Sequence, residues 1–223
     1  MSNIALSIPA TILGRERHVP HISRKFYHML TGLMCFFLYA FVVSEGQALL
    51  LLAIVGGFLV LSDFCRFRSP RLNAFALRIF GRLMRREELS SLSGNSFYII
   101  GLLVIALFFP KPIALLSLLF LAVGDPVAAI VGTRFGKHKL RSGKSIEGIA
   151  ANLAVSGLVA LIFGMLYLGL PVPKAAGLAL VGGLISAIAE SCPLPFDDNF
   201  TIPVVSAGLL FVAGECLPHL FIA

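Results

Sequence analysis

Long apolar stretches separated by short charged loops leave this chain few ways to fold. Residues 26 to 43, 47 to 62, 96 to 109, 113 to 132, 148 to 170, 175 to 190 and 201 to 222 are dominated by hydrophobic side chains, and each stops at a charge or a turn residue. A helix needs roughly 20 mostly apolar residues to cross about 30 Å of hydrocarbon. Within lipid, only helices and closed barrels satisfy their own backbone groups. The expected fold is therefore all-α, a polytopic membrane bundle of about seven transmembrane helices. The third and sixth stretches are short for a full crossing and are expected to be tilted or partly re-entrant. With 58% hydrophobic and 13% charged residues, a mean hydropathy of +0.94 and only 223 residues, no separate soluble domain fits.

The charges orient this bundle. Arg15, Arg17, Arg24 and Lys25 precede the first span, seven arginines lie between the second and third, and five basic residues lie between the fourth and fifth. Only Lys111 and Lys174 fall in the alternate loops. This is a strong positive-inside pattern, placing the N-terminus and both basic loops in the cytoplasm and, with seven spans, the C-terminus outside. Residues 1 to 25 form a cytoplasmic segment and 26 to 223 a single membrane domain. The first segment has no apolar core followed by a small-residue cleavage site, so the first span is expected to remain in the mature protein.

Asp63, Glu87, Glu88, Asp125, Glu147, Glu190, Asp197 and Asp198 map to the same cytoplasmic side. Carboxylates within or at the ends of apolar helices are costly, and they mark candidate sites. A net charge of +7 could suggest nucleic acid, but the chain has no Trp and no soluble domain for a base-stacking platform, so no nucleic-acid partner is expected. Cys35, Cys65, Cys192 and Cys216 have neither zinc-site nor disulfide spacing and read as small packers. Between the second and third spans, residues 71 to 86 set Leu72, Phe75, Ala76, Ile79 and Leu83 on one helical stripe and Arg71, Arg78, Arg82 and Arg85 on another. That is the pattern of an amphipathic helix lying on the cytoplasmic interface.

The most informative stretch runs from Gly124 to Gly148. Gly132 and Gly136 let backbone amides approach an anion, while Lys137, His138, Lys139, Arg141 and Lys144 supply positive charge. Ser145 can cap the next helix, whose N-terminus would suit a triphosphate, and Glu147 sits in its first turn, where the helix dipole favours an acid. The GxxxxGK[ST] spacing is absent, so this is no Walker A loop. Asp125, between Gly124 and Pro126, marks a broken helix. From the residues alone, a metal-ligand role and a general-base role are both open for it. Arg24 and His28 share a face at the entry to the first span. Asp197, Asp198 and Asn199 offer hard-cation ligands before the last span, with Glu190 nearby.

Together these stretches resemble the CTP-dependent lipid kinases, the family of dolichol kinase, phytol kinase and yeast-type diacylglycerol kinase. Arg24, Lys25, His28 and Gly32 are similar to its RKxxHxxxG motif, residues 125 to 148 to DxxAxxxGxxxGxxK followed by KSxEG, and residues 197 to 203 to its (E/D)DN motif. The spans that precede this core in eukaryotic dolichol kinases are not in the sequence, so the likeness is to the short branch. The resemblance implies CTP as phosphoryl donor, Mg²⁺ or another divalent cation, and a membrane-dissolved alcohol (polyprenol, phytol-like prenol or diacylglycerol) as acceptor. It also implies a nucleotide segment of Asp125, Ala128, Gly132, Gly136, Lys144, Glu147 and Gly148, and a need for Arg24 and Lys25. On this reading Lys137, Lys144 and Ser145 hold the phosphates and Asp125 places the metal with Asp197 or Asp198. CMP transfer to a phospholipid would use the same parts. A small ion-coupled transporter, with Asp125 and Glu190 as coupling sites, is the rival from another class.

Overall fold

The computed structural model describes residues 22–80, 91–140 and 142–217, which are helical with no strand among them. Helix α1 (Ile22–Phe37) runs into a π-helical turn at Leu38–Val42 and a tight connection to α2 (Glu45–Arg68). The connection is a capping box: Ser44 Oγ accepts from the Gln47 N–H at 3.3 Å while Gln47 Oε1 accepts from the Ser44 N–H at 2.9 Å. After α3 (Pro70–Phe80) come α4 (Gly94–Phe108), α5 (Lys111–Leu119), a π turn at Phe120–Gly124 and α6 (Asp125–Arg134). The chain then forms α7 (Ile146–Leu166), α8 (Val172–Ser191) and α9 (Asp198–Cys216).

Helices α5 and α6, joined through the π turn, make one span of 24 residues from Lys111 to Arg134 that is mostly buried and forms the centre of the bundle. Leu115, Leu116, Phe120 and Leu121 fill this core. Around it pack α1, α4, α7 and α9, with α8 against α7. Glycines bring α7 and α8 close, since a Cβ on Gly183 would lie 2.7 Å from the Leu153 carbonyl. At the edge, α2 packs on α4 and turns Leu50, Ile54, Phe58 and Leu61 outward on one helical face. Such a face suits a lipid environment.

Six helices among the described residues are long and apolar enough to cross a membrane, and Gly94–Phe108 is a shorter apolar helix. Its 15 residues rise about 22 Å, less than the hydrocarbon thickness. The expectation that this third stretch is short therefore stands, but the sixth does not share it. Helix α8 begins at Val172 and has 20 residues, because a proline in a first turn has no intrahelical donor to lose and Pro173 starts the helix instead of delaying it. Charge likewise cuts the second stretch too early. Helix α2 continues past Asp63 and Arg66 because the two pair at 3.0 Å inside the protein. Asp63 also accepts from the Ser93 N–H at 2.7 Å and Ser96 Oγ at 2.8 Å, which fixes the start of α4. The amphipathic stretch forms a helix over Pro70–Phe80 with Leu72, Phe75 and Ile79 exposed, while its second half, including Leu83 and the later arginines, lies outside the described residues.

Candidate active site

Asp125 owes its position to a local break in the central span. Its N–H donates to the Phe120 carbonyl five residues back, which opens the π turn, and Pro126 follows with no N–H of its own. The turn also needs Gly124. A Cβ there would fall 2.5 Å from Ser156 Oγ and 3.1 Å from Asn152 Oδ1 on α7. Asn152, Ser156 and Ser186 are fully buried and hydrogen-bond in a triangle with edges of 2.6 to 3.0 Å. The break thus rests on a rigid polar support.

Asp125 is 2% exposed, and Lys25 Nζ, from the first turn of α1, donates to its two oxygens at 2.6 and 2.5 Å. A carboxylate buried this deeply must be paired, and a lysine with both oxygens in reach answers that need. A second lysine organises the opposite wall. Lys144 Nζ lies 3.3 Å from Glu190 Oε1 and 3.0 Å from Asp198 Oδ1, and it also donates to the Glu190 carbonyl at 2.5 Å. It ties the end of α8 to the start of α9. Burial works to lower the Lys144 pKa, but the attraction of Glu190 and Asp198 outweighs it and holds the group above the ordinary lysine value.

These groups share a cleft of about 270 Å³. Arg24 and Lys25 reach it from α1, and Asp125, Ala128 and Gly132 from the central span. Lys144, Ser145 and Gly148 come from the loop and the start of α7, and Glu190 and Asp198 complete the far side. Ser145 caps α7, its Oγ accepting from the Gly148 N–H at 3.1 Å. Gly148 lets α7 close on α6, since a Cβ would meet the Ala128 carbonyl at 2.7 Å. The loop folds back on itself: Ile146 N–H donates to the His138 carbonyl at 2.9 Å and Leu140 N–H to that of Lys144 at 2.8 Å. Gly143, with φ of +83°, makes the reversal, a conformation that favours glycine.

The remaining expected residues lie elsewhere. Asp197 caps α9, accepting from the Asn199 N–H at 2.9 Å, and Asn199 Nδ2 donates to the Gly94 carbonyl at 3.1 Å, which ties α9 to α4. His28 stacks on Tyr98 with ring centroids 5.6 Å apart. Gly136, Lys137 and Glu147 border a second depression with Arg134 and Phe135. There Glu147 accepts from the His138 N–H at 3.2 Å and faces His138 Nδ1 at 2.7 Å. Thr133, which sequence did not single out, also lines the main cleft, and so does Lys139, which sequence named among the positive charges of the loop but not among the nucleotide-binding residues. For Lys139 the signal was present, because it is the final lysine of the DxxAxxxGxxxGxxK pattern.

A buried acid, a buried lysine, a half-buried lysine and further carboxylates, gathered at the ends of five helices from distant parts of the sequence, are parts suited to phosphoryl transfer at a membrane surface. Similarity to known proteins bears directly on this. The CTP-dependent diacylglycerol kinase 1 of Saccharomyces cerevisiae is 31% identical over 205 residues, covering 83% of this chain and 71% of that protein. That of Schizosaccharomyces pombe is 34% identical over 160 residues, 67% of this chain and 73% of the relative. The chain belongs to the CTP-dependent lipid kinase family. Phytol kinase 1 of Arabidopsis thaliana chloroplasts is also similar, at 28% identity over 202 residues, 83% of this chain and 64% of the relative. No family model matches, and no solved structure does.

A member of this family is expected to work with a divalent cation. No group of three or more His, Cys, Asp or Glu among the described residues is arranged to enclose a metal by itself. The donor set nevertheless suits Mg²⁺, which takes one or two carboxylates and completes its shell with water and substrate phosphates. Glu190 and Asp198 both lie against Lys144 Nζ, and Glu190 Oε2 is buried with no hydrogen-bond partner. Asp197 spends a side-chain oxygen on the cap of α9.

Proposed function

We propose that this protein is a CTP-dependent kinase that phosphorylates the hydroxyl of a membrane lipid alcohol, either a diacylglycerol or a polyprenol or phytol-like prenol. The observation that carries the reading is the convergence of Lys25–Asp125 and Lys144–Glu190–Asp198 on one cleft. The cleft has the acid–lysine pairs of a site that exchanges its internal ion pairs for an incoming anion. Arg24, Lys139 and Lys144 would draw the triphosphate to the capped start of α7, where the first N–H groups and the helix dipole favour negative charge. Lys25, released from Asp125 toward a phosphate, would leave that carboxylate to orient the acceptor hydroxyl and take up its proton. Asp125, Glu190 and Asp198 are the carboxylates within reach of a divalent cation, which when bound neutralises phosphate oxygens of the donor. The lipid hydroxyl would approach from the bilayer.

The protein is taken as multi-pass, with residues 1 to 25 and the cleft cytoplasmic, residues 26 to 223 as one catalytic unit and the C-terminus outside. The positive-inside pattern supports this orientation. So does the helix order, since the cleft gathers the starts of α1, α7 and α9 and the ends of α6 and α8.

The test is the purified protein with Mg²⁺, labelled CTP or ATP, and a panel of diacylglycerol and prenols. The expected product is heavier by one phosphoryl group and accompanied by CDP. Release of pyrophosphate would mean CMP transfer instead. Asp125→Asn should lower turnover by about 100-fold or more, and full activity in that variant would overturn the assignment of Asp125.

A further inference from the structure

The stretch from Asp125 to Gly148 faces two cavities. Thr133 lines the charged cleft, and from the very next residue the chain borders a second, open depression of about 530 Å³ lined by Arg134, Phe135, Gly136, Lys137 and Glu147. The two adjoin along one loop. The proposed chemistry uses only the first, yet a nucleoside triphosphate is a two-part ligand: an anionic tail and a flat base with its own donors and acceptors.

The second cavity has the parts for the base. Phe135 is 60% exposed, on the loop that carries most of the basic residues between α6 and α7, and the Arg134 guanidinium lies 5.6 Å from its ring centroid. An open aromatic face flanked by arginine is a stacking platform for a nucleobase. Glu147 is held in place by His138, whose ring nitrogen faces Oε1 at 2.7 Å and whose N–H lies 3.3 Å from Oε2, and the backbone N–H groups of Lys137 and of Glu147 itself also act on the carboxylate, which stays 26% exposed. A carboxylate oxygen has two lone pairs, so Oε2 retains capacity to accept. Cytosine carries an amino donor at its 4-position, whereas uracil has a carbonyl oxygen there, which a carboxylate repels. Arg134 and Lys137 are donors for the acceptors on the rest of the cytosine edge.

We propose that Phe135 and Glu147 form a base-reading subsite that selects cytosine nucleotides, Phe135 by stacking and Glu147 by accepting from the 4-amino group. The proposal rests on the reading of the adjoining cleft as the triphosphate site.

The full-length protein in lipid nanodiscs is titrated with CTP, UTP and inorganic triphosphate, and kcat/KM is measured for both nucleotides. The wild type should prefer CTP. Glu147→Gln presents a donor as well as an acceptor and keeps an acceptor for His138, so the CTP-to-UTP preference should fall roughly tenfold, in part through a gain for UTP. Phe135→Ala should weaken CTP relative to inorganic triphosphate, and Phe135→Tyr should restore it. His138→Ala removes the ring that holds Oε1 but keeps the backbone N–H donors to the carboxylate, and should lower the CTP-to-UTP ratio less than Glu147→Gln does. Equal binding of CTP and UTP by the wild type, or ratios unmoved in both Glu147→Gln and Phe135→Ala, would overturn the subsite. A parallel loss of all three ligands in Phe135→Ala would make Phe135 a packing or membrane contact and overturn its role as well. The two readings fail separately. Phosphorylation with unmoved ratios leaves the kinase standing without the subsite, and cytosine-selective binding without transfer leaves the subsite standing without the kinase.

Discussion

Lys25 and Asp125 stand 100 positions apart in sequence and meet in a buried ion pair. Removing one partner of such a pair strands the other charge, which is the expensive case. Lys25→Ala should therefore destabilise the protein by about 3–5 kcal/mol, measured as thermal unfolding in detergent, and should abolish activity. The double variant Lys25→Met with Asp125→Leu should recover much of that stability and none of the activity, which separates folding from function. Lys144 behaves differently because it is partly exposed and serves two acids. Its folded-state pKa is raised above an unfolded value of about 10.4. Its contribution is thus fully present below that value and is lost only as pH rises through the folded one. In a background carrying Glu190→Gln, where Asp198 is the acid left against Nζ, the stability difference between Lys144 and Lys144→Met should therefore stay constant from about pH 6 to pH 9. A difference that changes within that window would assign the joint of α8 and α9 to another titrating group.

At the level of elements, the π turn before α6 is the feature on which the cleft depends. It presents Asp125 toward α1, and it fits because Gly124 meets the triangle of Asn152, Ser156 and Ser186 without a side chain of its own. Gly124→Ala should push α7 from the central span and cost about 1–3 kcal/mol, as overpacking in a dense core does. Ser156→Gly, which removes the nearest obstructing atom, should return part of that stability when combined with Gly124→Ala. Thermal unfolding of the single and double variants checks the coupling, and simple additivity would show that the two sites do not touch.

For the whole molecule, the helix order brings alternate helix ends to one face. Arg24, Lys144, Glu190 and Asp198 gather there, while Lys111 and Lys174 begin α5 and α8 at the opposite ends of their spans. If the basic face is cytoplasmic, a cysteine at position 111 or 174 in an otherwise cysteine-free protein should react with an impermeant maleimide in intact cells. One at position 137 should react only after permeabilisation. The reverse pattern would invert the proposed topology.

Sequence alone determined the helical class, the charge asymmetry and three stretches worth suspecting, because hydropathy and positive charge act locally and can be read one span at a time. It also located Asp125 at a broken helix, since glycine and proline leave their mark wherever they stand. What it could not supply was pairing. That Lys25 belongs to Asp125 and Lys144 to Glu190 and Asp198, that Asn199 serves α4 and Asp197 a helix cap, and that Glu147 faces a different cavity from Gly148 were decided by tertiary packing. A buried charge takes whichever partner the helices bring within reach, and that partner is set by distance in space, which the order of residues does not record.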